Sequence, residues 1–157
     1  MSNGIITKLE SGRAQRALDA VVKVNDKNYS GNFKTYAKKL GPMILSSGLG
    51  QSLAFVWAKS GNEESSSATK RAYFYLLKCI VEYLKDSSFL PAKLKSKLDL
   101  TDEAYYESKE NFAKFFKGIV NLSMSEYSLL EREVLSYVKW LSRFSEALIE
   151  KQATDEQ

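Results

Sequence analysis

The stretch "ILSSGLGQSLAFVWAKSG", residues 44–61, sets two glycines one residue apart ahead of a run of apolar side chains. If Gly48-Leu49-Gly50 cradled a phosphate, a strand would precede it and the chain would be an α/β nucleotide enzyme. If it joins two helices, the fold is helical. A dinucleotide fingerprint needs a third glycine, G-x-G-x-x-G, and a P-loop needs four residues between its glycines and then Gly-Lys-Ser/Thr. Leu53 stands where the third glycine belongs, and no lysine follows before Lys59. The residues ahead of the glycines, Phe33, Tyr36, Ala37, Leu40 and Ile44, recur at helical spacing. Gly48 is therefore predicted to end one helix in a left-handed conformation, with Leu49 folded onto the core and Gly50 or Ser52 opening the next helix. Any helix start can meet an anion through its free amides, but the joint is read as structural. "LAFVWA", 53–58, is apolar on every side, so that helix is expected to be largely enclosed by its neighbours or by a partner.

Outward from this joint the pattern stays helical. Tyr127, Leu130, Val134, Tyr137, Leu141, Phe144 and Leu148 step by three and four residues, and Val138, Trp140, Ala147 and Ile149 widen the seam beyond a coiled-coil stripe. Ser123 with Glu126 reads as a capping box, with Leu122 and Tyr127 in staple positions. A second strong helix spans about Ala68–Lys85, with Tyr73, Leu76, Ile80, Tyr83 and Leu84 inward. Another is expected from Thr101 as N-cap, burying Tyr105, Phe112, Phe115, Phe116 and Ile119. Near the N-terminus Ala14, Ala17, Leu18, Val21 and Val24 form an inner stripe. Gly41-Pro42 is expected to kink or break the second helix, because proline lacks an amide hydrogen and disfavours helical geometry before it. "SSFLPAKLKSKLDL", 87–100, is a connection with room for a turn of helix. The expectation is an all-α, compact bundle of about six helices with a long C-terminal helix.

The 157 residues, 44% of them hydrophobic, suit one domain over residues 1–157. "SGNEESSS", within 60–67, has no apolar anchor and is expected to be a mobile loop; 152–157 is expected to be a disordered tail. The longest uncharged stretch, Leu40–Ala58, is too interrupted for a membrane span, and only Ile5 and Ile6 stand where a signal peptide needs an apolar run. A cytoplasmic protein with no membrane partner is expected. Residues 1–60 carry nine Lys/Arg against three Asp/Glu, whereas residues 99–157 carry seven against twelve. A chain so polarised can offer one face to a polyanion and another to a basic protein surface.

The sequence has no histidine, which removes the commonest general base and transition-metal ligand. Glu103, Glu107 and Glu110 share a helix face and resemble a Mg²⁺ set, but Lys109, Lys114 and Lys117 interleave, so a solvated face explains them better. The single cysteine, Cys79, sits among Leu76, Leu77, Ile80 and Val81 and reads as packing. No catalytic residue, metal site or cofactor is expected.

Arg13, Arg16, Lys23 and Lys27 lie along one side of the first helix, opposite Ala17 and Val21. Lys34 and Lys38 stack at i,i+4 spacing on the next helix, with Lys39 beside them. Like charges so placed repel by about a few tenths of a kcal/mol per pair, which invites an anionic partner. These seven are the candidate RNA-binding residues; a solvated lysine-rich surface is the plain alternative. Four or five phosphate contacts on a single strand would give a log-log salt slope of about −3 to −3.5. Lys93, Lys95 and Lys97 would share a face only if their segment were extended.

"YAKKLGPMILSSGLGQSLAFVWAK", 36–59, and "YSLLEREVLSYVKWLSRFSEALI", 127–149, together resemble the small, all-helical subunit of the Cmr complex, the type III-B CRISPR effector. The shared pattern is a Tyr/Ala/Leu/Pro helix, a Gly-Leu-Gln/Gly-rich turn, an apolar "LAF" helix, and a last helix with a Leu-Leu-x-x-Arg/Glu pattern followed by Trp-Leu and Phe. One departure is Gly41-Pro42, where the family more often has a large apolar residue before proline. The resemblance implies a non-catalytic antiviral-defence protein in several copies, stacked on one another along a filament of backbone subunits that carries the guide RNA. It further implies contact with target RNA through a basic surface, cleavage belonging to other subunits. A purely structural assembly module is the alternative.

Overall fold

The structure is a computed structural model that describes residues 2–65, 67–100 and 109–153. Within them lie α1 (Ser2–Asn25), α2 (Ser30–Ser47), α3 (Leu49–Lys59), α4 (Ala68–Asp86), α5 (Ala92–Lys97), α6 (Ala113–Val120) and α7 (Met124–Leu148), with a 3₁₀ turn at Lys109–Phe112. The fold is all-α, with no strand among the described residues. The short α5 fills the 87–100 connection and accounts for a seventh helix. The expected helix start at Thr101–Tyr105, with Glu103 and Glu107, lies outside the described residues, as do Ser66 and residues 154–157 of the expected loop and tail.

Helix α7 is the organising element, packing along both α1 and α2, while α2 and α3 also lie against α4. Lys34 reaches the carbonyl of Ile149, Lys38 reaches Glu146, and the amide of Leu49 reaches Glu131, so α2 runs antiparallel to α7. One buried apolar cluster draws on every helix: Val21, Phe33, Leu53, Ile80, Leu94, Phe115 and Leu141 all belong to it. The predicted α7 seam is buried at Leu130, Val134, Tyr137 and Leu141. Leu148, by contrast, is exposed, because the helix ends there and the chain turns extended, so that Ile149 takes the inward place. Both arms of the Ser123–Glu126 capping box are made. The carboxylate of Glu126 is held down to about 2 by the Lys97 ammonium, 2.8 Å away, and by the amide of Ser123.

Two expectations are corrected. First, Gly41-Pro42 does not break α2, which runs unbroken from Ser30 to Ser47 with Pro42 inside. Pro42 is exposed, so the one backbone bond it forfeits, to the carbonyl of Lys38, leaves that oxygen on the solvent side. Gly41 brings no Cβ to crowd the proline ring, and Ala37, Leu40 and Ile44, buried on either side, hold the helix on the core. Second, α3 is not enclosed by its neighbours within the chain, one of the two coverings expected for it. Leu49, Ser52, Leu53 and Val56 are buried, but Ala54, Phe55 and Ala58 face outward. A stack of Trp57 on Phe116 at 4.6 Å, and a bond from the indole N–H to the carbonyl of Lys109 at 2.7 Å, clamp α6 to one flank of α3. Elsewhere α6 approaches the end of α5 so closely that a Cβ on Gly118 would stand 2.3 Å from the carbonyl oxygen of Lys97; only glycine fits there.

The core is rich in buried phenols. Burial pushes the hydroxyls of Tyr29 and Tyr73 and the thiol of Cys79 up to about 12, and those of Tyr75, Tyr83 and Tyr137 rise as well. These groups stay protonated in the folded chain where the unfolded chain begins to ionise near pH 10, so their contribution is complete below that pH and is lost as pH climbs toward about 12. A thermal-melt series is expected to show a flat midpoint up to about pH 9 and a steep fall from about pH 10, in step with the phenolate absorbance. Pro42→Ala restores the missing helix bond and is expected to stabilise the protein by about 1–3 kcal/mol in denaturant titration; a loss of stability would mean that α2 depends on the proline.

Candidate nucleic-acid interface

The glycine joint decides first whether an anion can bind at the start of α3. Gly48 has φ 87° and ψ 162°, a positive φ as predicted but with an extended ψ rather than a left-handed helical one. This region is essentially restricted to glycine. Its amide closes α2 on the carbonyl of Ile44 at 2.8 Å, and α3 opens immediately at Leu49. The amide of Leu49 donates to the Glu131 carboxylate at 3.0 Å and that of Gly50 to the Tyr127 hydroxyl at 2.8 Å. The positive helix end is thus matched by an internal anion from α7, and no room is left for a phosphate to approach these amides.

The seven sequence-predicted cations do not share one surface. Arg13 is half-buried and forked onto Glu133, with Nε 3.2 Å and Nη2 2.9 Å from its two carboxylate oxygens. Glu133 is buried and also accepts from the Tyr83 hydroxyl; Arg13 further bonds Glu10 at 2.8 Å, and Glu10 accepts from the Trp140 indole at 2.9 Å. This polar chain, beside the parallel stack of Tyr83 on Tyr137, joins α1, α4 and α7 and gives Arg13 a structural task. The ionisation of Arg13 is pushed further up, chiefly by its hydrogen bond to Glu133. Arg16 is exposed and pairs with Asp86 at 3.0 Å. Lys34 donates to the carbonyl of Ile149 at 3.0 Å and ties down the exit of α7. Lys38 pairs with Glu146 at 2.8 Å on the surface, which holds the pKa of that carboxylate below its ordinary value. Lys23, Lys27 and Lys39 are exposed.

Arg16 and Lys23 line a groove between α1 and α4, whereas Lys38 lines a different groove, about 450 Å³, between α2 and α7. The second groove has an apolar floor of Ala37, Pro42, Leu45, Leu135 and Val138, and there Lys38 is joined by Lys139 and Arg143 of α7. Sequence reasoning passed over Lys139 and Arg143 because they sit in the acidic third of the chain. Their i,i+4 spacing was the available signal, but only the antiparallel packing of α7 on α2 sets them beside Lys38. In the 87–100 connection Lys93, Lys95 and Lys97 are on α5 and fan out: Lys95 caps the carbonyl of Lys85 at 3.0 Å and Lys97 holds Glu126.

Residues 9–148 match the family model of the CRISPR-associated protein Cas_Cmr5. The chain belongs to the Cas_Cmr5 family. As a Cas_Cmr5 protein it is a subunit of the type III-B CRISPR (Cmr) complex, in keeping with the resemblance carried by residues 36–59 and 127–149. In this Cas_Cmr5 chain Glu110 is exposed on the 3₁₀ turn, and among the described residues no three His, Cys, Asp or Glu side chains come together as a metal site. Among the same residues no helix is long and apolar enough to cross a membrane.

Because Glu133 is buried and shared by two donors, Glu133→Gln leaves the Arg13 guanidinium without its buried counter-charge, with only the exposed Glu10 still paired to it. The expected loss is about 3 kcal/mol in denaturant unfolding, against less than about 1 kcal/mol for Lys38→Gln in its exposed pair. Equal effects would remove Glu133 from its central place.

Proposed function

We propose that this Cas_Cmr5 chain is a non-catalytic subunit that stacks in several copies along the backbone filament of the Cmr complex and holds target RNA by its phosphates, through basic surfaces that do not read sequence. The observation that carries the RNA part is the α2–α7 groove, where Lys38, Lys139 and Arg143 from two helices come together around one depression. Phosphate contacts of this kind add affinity through counterion release and carry no sequence information. The non-catalytic part rests on the absence of histidine and on how the well-placed carboxylates are engaged: Glu133 by Arg13 and Tyr83, Glu131 by the start of α3, Glu126 by Lys97.

A second reading, an assembly module making protein contacts only, is favoured by a separate observation. Leu45, Val120 and Met124 are 71%, 79% and 87% exposed, and Phe55 faces outward from α3. Apolar side chains this open commonly mark surfaces covered by a partner.

Charge reversal separates the two. Lys39→Glu, Lys139→Glu and Arg143→Glu together leave the hydrogen bonds and ion pairs that join the helices in place. Under the RNA reading, target binding weakens at least about tenfold and the salt slope shrinks by about 0.7 for each phosphate no longer neutralised, while the complex assembles normally. Under the scaffold reading the subunit drops out of the complex, read by co-purification.

A further inference from the structure

A second groove, about 530 Å³, lies where the end of α1 and the α1–α2 connection meet α4, and is lined by Lys23, Lys27, Tyr29, Arg71 and Lys78. Lys78 answers Glu63 across it at 2.9 Å. Arg71 is different. Its guanidinium lies over the Tyr29 ring, 5.4 Å from the centroid, and its Nε is fully buried with no hydrogen-bond partner. Asp26 and Glu82 line the same groove, yet neither forms an ion pair with Arg71. A buried Nε is closed to any ligand, so the two terminal nitrogens of the guanidinium are what the oxygens of one phosphate can meet, and Lys23 and Lys27 stand exposed at the same opening.

We propose that this groove is a seat for one phosphate of the bound RNA strand, with Arg71 as its forked donor and Lys23 and Lys27 as its rim. The proposal rests on the RNA reading above and places a contact on α4, which the basic residues singled out in the sequence do not include. Asp26 and Glu82 limit the seat to a singly charged phosphodiester, since a more highly charged group would meet both carboxylates. Tyr29 is buried, so it forms the wall of the seat and takes no part in stacking a base.

The test uses the full chain and a fluorescent mixed-sequence single-stranded RNA, titrated over a range of salt. Arg71→Gln is expected to weaken binding about tenfold and to make the log-log salt slope shallower by about 0.7, while Arg71→Lys keeps the slope and loses part of the affinity. The Nε–Hε NMR resonance of Arg71, identified by its absence in Arg71→Lys, is expected to shift as RNA is added. Should Arg71→Gln fold poorly, Lys27→Gln, at an exposed position, is expected to give the same change in slope, and the NMR shift in the native protein stands independently. An unmoved Arg71 resonance and unchanged slopes, with the native chain still binding RNA, would overturn the seat and leave the RNA reading intact. No salt-dependent RNA binding by the native chain would overturn both. Unchanged RNA binding with loss of Arg71→Gln from the assembled complex would show that a protein carboxylate occupies the groove, and would also overturn the seat.

Discussion

A buried carboxylate, Glu133, holds the arrangement of α1, α4 and α7. At 4% exposure it is compatible with the core only because Arg13 forks onto it from α1 and Tyr83 donates to it from α4. A buried charge so satisfied is sensitive to geometry, since a shift of any of the three helices leaves a charge or donor unpaired in a low-dielectric setting. Apolar packing alone tolerates small slips along a helix; this network does not. Its continuation through Glu10 to Trp140 extends the same register along α7.

Helix α7 repeats the device on its other side. Glu131 and Tyr127, one helical turn apart, receive the first amides of α3, and Glu146 meets Lys38 on α2. A helix whose composition reads as acidic surface is in fact a rack of internal acceptors, each matched to a donor of a different element. The four carboxylates of α7 are therefore directed inward or sideways, and Lys139 and Arg143 stand on its outer face beside α2, with Glu146 at the same groove.

This division shapes the surface of a Cmr subunit. Positive charge is gathered in separate depressions, one between α2 and α7 and two where α1 meets α4, instead of one continuous stripe. Exposed apolar residues stand at Val22 of α1, at Phe55 of α3, at the α6–α7 corner of Val120 and Met124 and at Leu148, while Leu45 lines the α2–α7 groove. Cation-lined grooves and exposed apolar points thus coexist on one small helical body.

Local patterns in the sequence determined the helices, because their spacing, caps and breakers act over a few residues: the Ser123–Glu126 box, the positive φ of Gly48 and the inward stripe of Val21 and Val24 all needed no distant information. The resemblance in residues 36–59 and 127–149 likewise pointed to the family. Of the kink or break expected at Pro42 the break is absent, since the packing of Leu40 and Ile44 outweighs one missing bond. The functional surface was the least legible part. Helical spacing put Arg13 in line with Arg16, Lys23 and Lys27, yet which cations face solvent depends on where acids from other helices arrive, at separations of 70 residues for Arg16 and 120 for Arg13. Only the folded chain brings Glu133 under Arg13, Lys139 beside Lys38, and Arg71 over Tyr29 without an acid, because side-chain pairing across helices is set by three-dimensional distance and not by position along the chain.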